Sequence, residues 1–210
     1  MCFSASASFA ASGVLVATGV ANIRTKPQRS LRWFAAIPFL FSIQQAIEGA
    51  QWLVPKGTTV SILLAYAFLL FAFVIWPVYL PFAITAAEPN PKRKKLLRWF
   101  LFLGIAIAMY LLGVLVFSPL QIIVDHHHID YAVTIPFEII AGVLYVIAVS
   151  VGAMCSTRSL IRVFGFTTWF GAIAGAVFTY ETFISVWCFV YALLSMLVFL
   201  ELRSRQGRNI

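Results

Sequence analysis

The chain has 210 residues, 62% of them hydrophobic and 10% charged, with a mean hydropathy of +0.95. A soluble domain of this size would have too little polar residue to cover its surface, so composition points to an integral membrane protein. The net charge of +8 would suit a nucleic-acid binder, but the placement of the charges argues for membrane orientation and against nucleic acid.

Seven apolar segments follow one another: Phe3–Ala21, Trp33–Val54, Val60–Ala86, Leu96–Phe117, Ile135–Met154, Leu160–Thr179 and Phe183–Leu200. Each is near the ~20 residues a helix needs to span a ~30 Å hydrocarbon core. The expected fold is therefore all-α, a polytopic bundle of seven transmembrane helices forming one domain over residues 1–210. The start, Met1-Cys-Phe-Ser-Ala, lacks the basic region of a cleavable signal peptide. Ser4, Ser8 and Ser12 recur every four residues among alanines in the first segment, which predicts a helix packed inside the bundle. Pro77 and Pro81 predict a kink or tilt in the third segment, and Gly171 and Gly175 give the sixth a small-residue face.

The loops give a direction. Arg24, Lys26, Arg29 and Arg32 precede the second segment, and Lys92, Arg93, Lys94, Lys95 and Arg98 surround the start of the fourth. Arg158 and Arg162 surround the start of the sixth, and Arg203, Arg205 and Arg208 end the chain. All these lie on one side of a seven-helix arrangement, and Lys56 stands alone on the other. The positive-inside rule then puts the N-terminus outside and the C-terminus in the cytoplasm of a multi-pass inner-membrane protein. The run Pro91-Lys-Arg-Lys-Lys95 can hold anionic lipid at the cytoplasmic face, or serve only as a topology signal. Lipid is thus the expected partner, and a homo-oligomer is compatible with the sequence.

The second segment carries an awkward stretch, Ser42-Ile-Gln-Gln-Ala-Ile-Glu-Gly-Ala-Gln-Trp52. Gln44, Gln45, Glu48, Gln51 and Trp52 fall within an arc of about 120° on a helix. A carboxyl and three amides facing lipid would cost several kcal/mol, so this stripe must face protein, water or an ion. Glu48 is a metal ligand, a catalytic base or proton carrier, or a neutral acid held by Gln44 and Gln51. The loop after the fourth segment, Asp125-His-His-His-Ile-Asp130, holds good ligands for zinc or another transition metal, or else is a solvated polar loop. If it lies over the stripe, His126 or His128 can meet Glu48 and Glu181. Glu138 suits the positive end of a helix dipole after Pro136. Cys2 and Cys188, both expected outside, are a disulfide, two further ligands, or unpaired packing residues. Trp187, Tyr191 and Ser195 recur every four residues and can form an aromatic wall beside the polar stripe, with Gln44, Gln45, Trp52 and Trp187 as candidate binding residues; Trp187, Trp52 and Trp76 can equally be interface anchors.

No lysine lies in a membrane core, which excludes a retinal Schiff base, and no Gly-rich loop suggests a nucleotide. An arginine ladder and a G-x-S-x-G elbow are also missing.

Met1-Cys-Phe-Ser-Ala5, Gln44-Gln45 with Glu48-Gly49 and Trp52, His128-Ile129 with Tyr131, and Trp187-Cys188-Phe189 together resemble a family of small bacterial membrane proteins of unknown function. The resemblance spans nearly the whole chain and implies no activity; it draws attention to Cys2, Glu48, His128 and Cys188. Seven-helix zinc hydrolases of the alkaline-ceramidase type are similar in helix count and in mixing His with acids. Their paired His on a late helix is missing here, so none of their residues is carried over. The expected function is a buried, outward-facing polar site for a transition metal, with a small-solute or proton-coupled transporter and a non-catalytic scaffold as alternatives.

Overall fold

The computed structural model describes the backbone of residues 4–125 and 128–178, and the side chains of all of these except 123–125, 128, 130 and 174–178. Most of the described residues are helical. Helix α1 (Ala5–Arg24) starts at Ser4, whose Oγ accepts the Ala7 amide at 3.2 Å. It runs against α2 (Ile37–Leu53), one of the two most extensive helix pairings among the described residues. The two backbones come close because a Cβ on Gly19 would strike the Phe39 ring, and one on Gly49 would press on Phe9. Only Ser8, Leu15, Gly19 and Asn22 of α1 are buried, while Phe9, Val14, Val16 and Val20 are exposed. The sequence predicted a helix packed inside the bundle; among the described residues α1 packs chiefly on α2, and it leaves Val14, Val16 and Val20 exposed.

The second segment is not one helix. A four-residue turn, Arg32–Ala35, precedes α2, because Pro38 has no amide to continue the ladder across Ala36. The third segment forms α3 (Thr59–Ala87), interrupted by a π-helical stretch at Phe71–Ile75. There the Trp76 amide bonds the Phe71 carbonyl, five residues back. The same spacing assigns residue 77 to the Ala72 carbonyl, and residue 77 is proline. The Tyr145 hydroxyl donates to that carbonyl instead, at 2.6 Å. The sequence predicted a kink or tilt, and the structure resolves the irregularity as this change of helical register.

Helix α4 (Pro91–Phe117) is capped by Asn90, whose Oδ1 accepts the Lys92 and Arg93 amides at 3.0 and 3.2 Å. Gly104 of α4 lies against the Pro77 carbonyl, which Pro81 cannot reach with an amide of its own. A side chain there would collide with that backbone oxygen. Trp99, Phe102, Ile105, Met109 and Val116 form an exposed apolar stripe along α4, a surface suited to lipid. Helix α5 (Glu138–Met154) has its own π-helical stretch at Ile147–Val151, and α6 (Ser159–Phe178) packs on it where Gly165 meets Ser150 and Met154. Gly165 is thus a close-packing position that the sequence reading did not single out.

The all-α reading is corrected between α4 and α5. Strands β1 (Leu120–Asp125) and β2 (His128–Val133) pair antiparallel, with Asp125 opposite His128 and Leu120 opposite Val133. Ile129 and Tyr131 of β2 are buried, and the Tyr131 ring stacks on Phe68 of α3, 4.7 Å between centroids. This burial on alternate residues is what a strand needs. Helix α5 accordingly starts at Glu138, after Phe137 in left-handed backbone (φ 53°), rather than at Ile135.

Among the described residues three helices, α1, α3 and α4, are long and apolar enough to cross a membrane, with 20, 29 and 27 residues. Helix α5 and the Ser159–Ile173 part of α6 are apolar but shorter, and the expected seventh segment, Phe183–Leu200, lies outside the described residues.

Gly104→Ala should lower stability by about 1–3 kcal/mol, because the new methyl group meets backbone that cannot turn aside. Gly113→Ala, with nothing within 4 Å, is the control. Equal unfolding temperatures for the two variants in detergent would show that the α3–α4 contact is loose.

Candidate functional site

The polar stripe of α2 is buried. Gln44, Gln45 and Glu48 have 0% of their surface exposed, Gln51 has 2% and Ser42 has 4%. Each inward side chain reaches an identifiable neighbour. Gln44 Oε1 accepts the indole N–H of Trp76 at 2.6 Å, and the Trp76 ring stacks on Phe41 at 3.8 Å. The Gln45 amide donates to Glu48 Oε2 at 3.3 Å. Gln51 donates to Ser61 Oγ at 2.8 Å, and the Ser12 hydroxyl donates to the Ser42 carbonyl at 2.8 Å. The stripe is therefore gripped by α1 on one side and α3 on the other.

These bonds leave some polar atoms over. Gln51 Oε1, Trp52 Nε1 and Ser8 Oγ are buried and have no hydrogen-bond partner. Ser8 is one turn from Ser12 and adjoins Phe9, so it sits at the Gln45–Gly49 level of α2. An unmet polar atom in a dry interior costs about 1–3 kcal/mol. Two unmet acceptor-capable oxygens and one indole donor are what a bound water, ion or small polar ligand would satisfy.

The hairpin backs onto the same end of the bundle. Ile129 and Tyr131 share an apolar cluster with Phe68, and Ile47 and Trp52 of α2 pack against it. The hairpin thus packs beside Ile47 and Trp52 of α2 through its buried apolar residues. His128 is placed as backbone, opposite Asp125. His126, Cys2, Glu181, Cys188 and Trp187 lie outside the described residues. Among the described residues, no three of His, Cys, Asp and Glu come together. Glu138 is exposed in the first turn of α5, where a carboxylate suits the helix dipole.

A second polar cluster lies at the opposite, basic end of the bundle. Glu88, directly after α3, is 3% exposed. Its carboxylate accepts the Ser156 hydroxyl at 2.8 Å, the Thr157 amide at 2.9 Å, the Thr157 hydroxyl at 2.6 Å and the Asn90 amide at 3.0 Å. Arginines clasp the same turn. Arg93 donates to the Cys155 and Ser156 carbonyls, Arg162 to those of Ser156 and Thr157, and buried Arg158 to that of Ala87 at 2.6 Å. Sequence reasoning did not single out Glu88. The available signal was the hydroxyl pair Ser156-Thr157 beside Arg158, but nothing in the sequence joins them to a residue 68 positions away.

Burial pushes the Glu88 carboxyl up, and the hydrogen bonds from Thr157, Asn90 and Ser156 outweigh it, so the net direction is down from the ordinary 4.5. A depressed native value means that the contribution of Glu88 is fully present above about pH 4.5 and is lost as pH falls through that native value. Wild type should lose stability on the acid side by an increment that Glu88→Gln lacks. Superimposable stability–pH curves would mean that the knot needs no charge.

Neither a curated protein nor a solved structure matches this chain. A family profile matches residues 1–209, nearly all of it. The chain that carries the buried Gln44–Glu48 stripe belongs to the Family of unknown function (DUF6629).

Proposed function

We propose that this is a multi-pass inner-membrane protein that uses the α2 stripe as a buried binding site for a transition metal, zinc being the leading candidate. The observation that carries the reading is Glu48, a carboxyl with no exposed surface in an apolar helix, beside polar atoms that lack partners. Such a group inside a membrane is costly and is kept for function. In this reading the basic end is cytoplasmic, the N-terminus is outside, and the stripe opens outward beneath the hairpin. Glu48 supplies one ligand, and His128 or His126, Cys2, Cys188 and Glu181 supply the rest. Carboxylate, imidazole and thiolate together suit zinc or copper. A bound metal would supply Lewis acidity or an activated water, while Gln44, Gln45, Trp52 and Trp187 shape and orient what binds beside it. The exposed stripe of α4 faces lipid, and Lys92–Lys95 face anionic headgroups.

A small-solute or proton-coupled transporter is the second reading. Two broken helices favour it: the π-helical stretches of α3 and α5 are bridged by the Tyr145–Ala72 bond, and Trp76 joins the first of them to the stripe. A scaffold with a dry, closed interior fits less well, since its polar atoms would have to find partners among themselves.

Metal analysis of purified protein tests the leading reading. Wild type should hold about one metal ion per chain, and Glu48→Gln and His128→Ala should each lose most of it. Wild-type protein that remains metal-free after incubation with zinc or copper would remove the metal and leave the transporter.

A further inference from the structure

We infer that the Glu88 knot is a latch that controls the polar stripe from the opposite end of the bundle, with residues Trp76–Ala87 as the connecting rod. The inference rests on reading the stripe as a site and adds a means of regulating it.

The rod is mechanically distinct. Upstream, the π-helical stretch Phe71–Ile75 changes the hydrogen-bond register, and Pro77 and Pro81 each remove a rung of the ladder. The rod is therefore weakly coupled along the helix to the first half of α3, and what fixes it is its side packing and its two ends. At ~1.5 Å per residue its 12 residues reach about 18 Å. One end is inside the stripe: Trp76, its first residue, donates to Gln44. The other end is in the knot: Arg158 holds the Ala87 carbonyl, and Glu88 is held by Ser156 and Thr157.

The element that receives Glu88 is broken as well. Helix α5 passes through Ile147–Val151 before reaching the 155–157 turn. Tyr145, just before that stretch, bonds Ala72 within the break of α3. The two helices are thus tied at their breaks and again at their basic ends, closing a loop of four joints. With both ties made, Trp76 is held where it meets Gln44. Releasing the Glu88 tie leaves the far end of the rod held by Arg158 and its flanks by Gly104 of α4 and by the Tyr79–Trp33 bond, and a small rocking of the rod about those contacts moves Trp76 against the stripe. Hinges of this kind are short element-terminal stretches that absorb backbone change.

The test uses the full chain in detergent, labelled with fluorotryptophan and followed by fluorine NMR. The chain has six tryptophans, and Trp76→Phe assigns the Trp76 signal. Glu88→Gln and the milder Thr157→Val, which keeps side-chain shape and removes one donor, should each shift or split that signal. Arg98→Ala, an exposed basic residue at the same end, should leave it in place. A Trp76 signal unmoved by Thr157→Val and by any folded Glu88→Gln protein overturns the latch. So does a signal that moves equally in Arg98→Ala. No ligand is needed, so a shifted signal in metal-free protein keeps the latch and removes only the metal.

Discussion

The bond from Trp76 to Gln44 shows the constraint under which the rest of the chain is built. Inside an apolar bundle a polar atom has no water to fall back on, so each one needs a partner fixed by the fold. Gln44 is in α2, and its partner is the first residue after the break in α3. The indole is itself set by stacking on Phe41, three residues before Gln44 on the same helix. One aromatic side chain therefore fixes both the distance between α2 and α3 and the rotation of the stripe.

The same constraint accounts for the irregular backbone. Proline in a helix frees carbonyls, and in lipid a freed carbonyl must be met by something local. Two solutions operate in α3. The Ala72 carbonyl takes a hydroxyl from Tyr145, and the Pro77 carbonyl is approached by Gly104, where only a hydrogen stands on the α-carbon. Each solution recruits a different helix, α5 and α4. The prolines thus do more than bend α3: they create the acceptors that specify its neighbours.

Much of this was legible in the sequence, and the limits are physical. The burial of Gln44, Gln45, Glu48 and Gln51 follows from four polar side chains on one arc of an apolar helix, because hydrocarbon penalises every other orientation. The partners do not follow, since Trp76 and Ser61 reach the stripe through tertiary packing and an indole far along the chain looks like any interface tryptophan. The hairpin was hidden by composition. His and Asp at its tip suggested a polar loop, while the alternation that builds it, buried Ile129 and Tyr131 on β2, spans too few residues to stand out among apolar helices. In α1 the recurrence of Ser4, Ser8 and Ser12 identified a close-packing face but not how many helices would pack on it. Patterns along one helix report its own faces, and they carry no information on how many neighbours those faces meet.

The two buried carboxyls then stand in informative contrast. Glu88 sits where α3 ends, beside the exposed amides of a turn and the start of a helix, and four donors converge on it. Its two oxygens are fully engaged, so its role is to hold. Glu48 sits mid-helix, where every backbone amide is already committed to the α-helical ladder, so any donor must be a side chain or a guest. Gln45, one turn earlier on the same helix, is one such side-chain donor, and Ser8 of α1 and Gln51 and Trp52 of α2 hold buried polar atoms without partners. At Glu88 the donors are amides and hydroxyls of a turn, which a helix end leaves available. The two carboxyls thus differ in what the backbone can offer them, and that difference is the physical reason to read them in different roles.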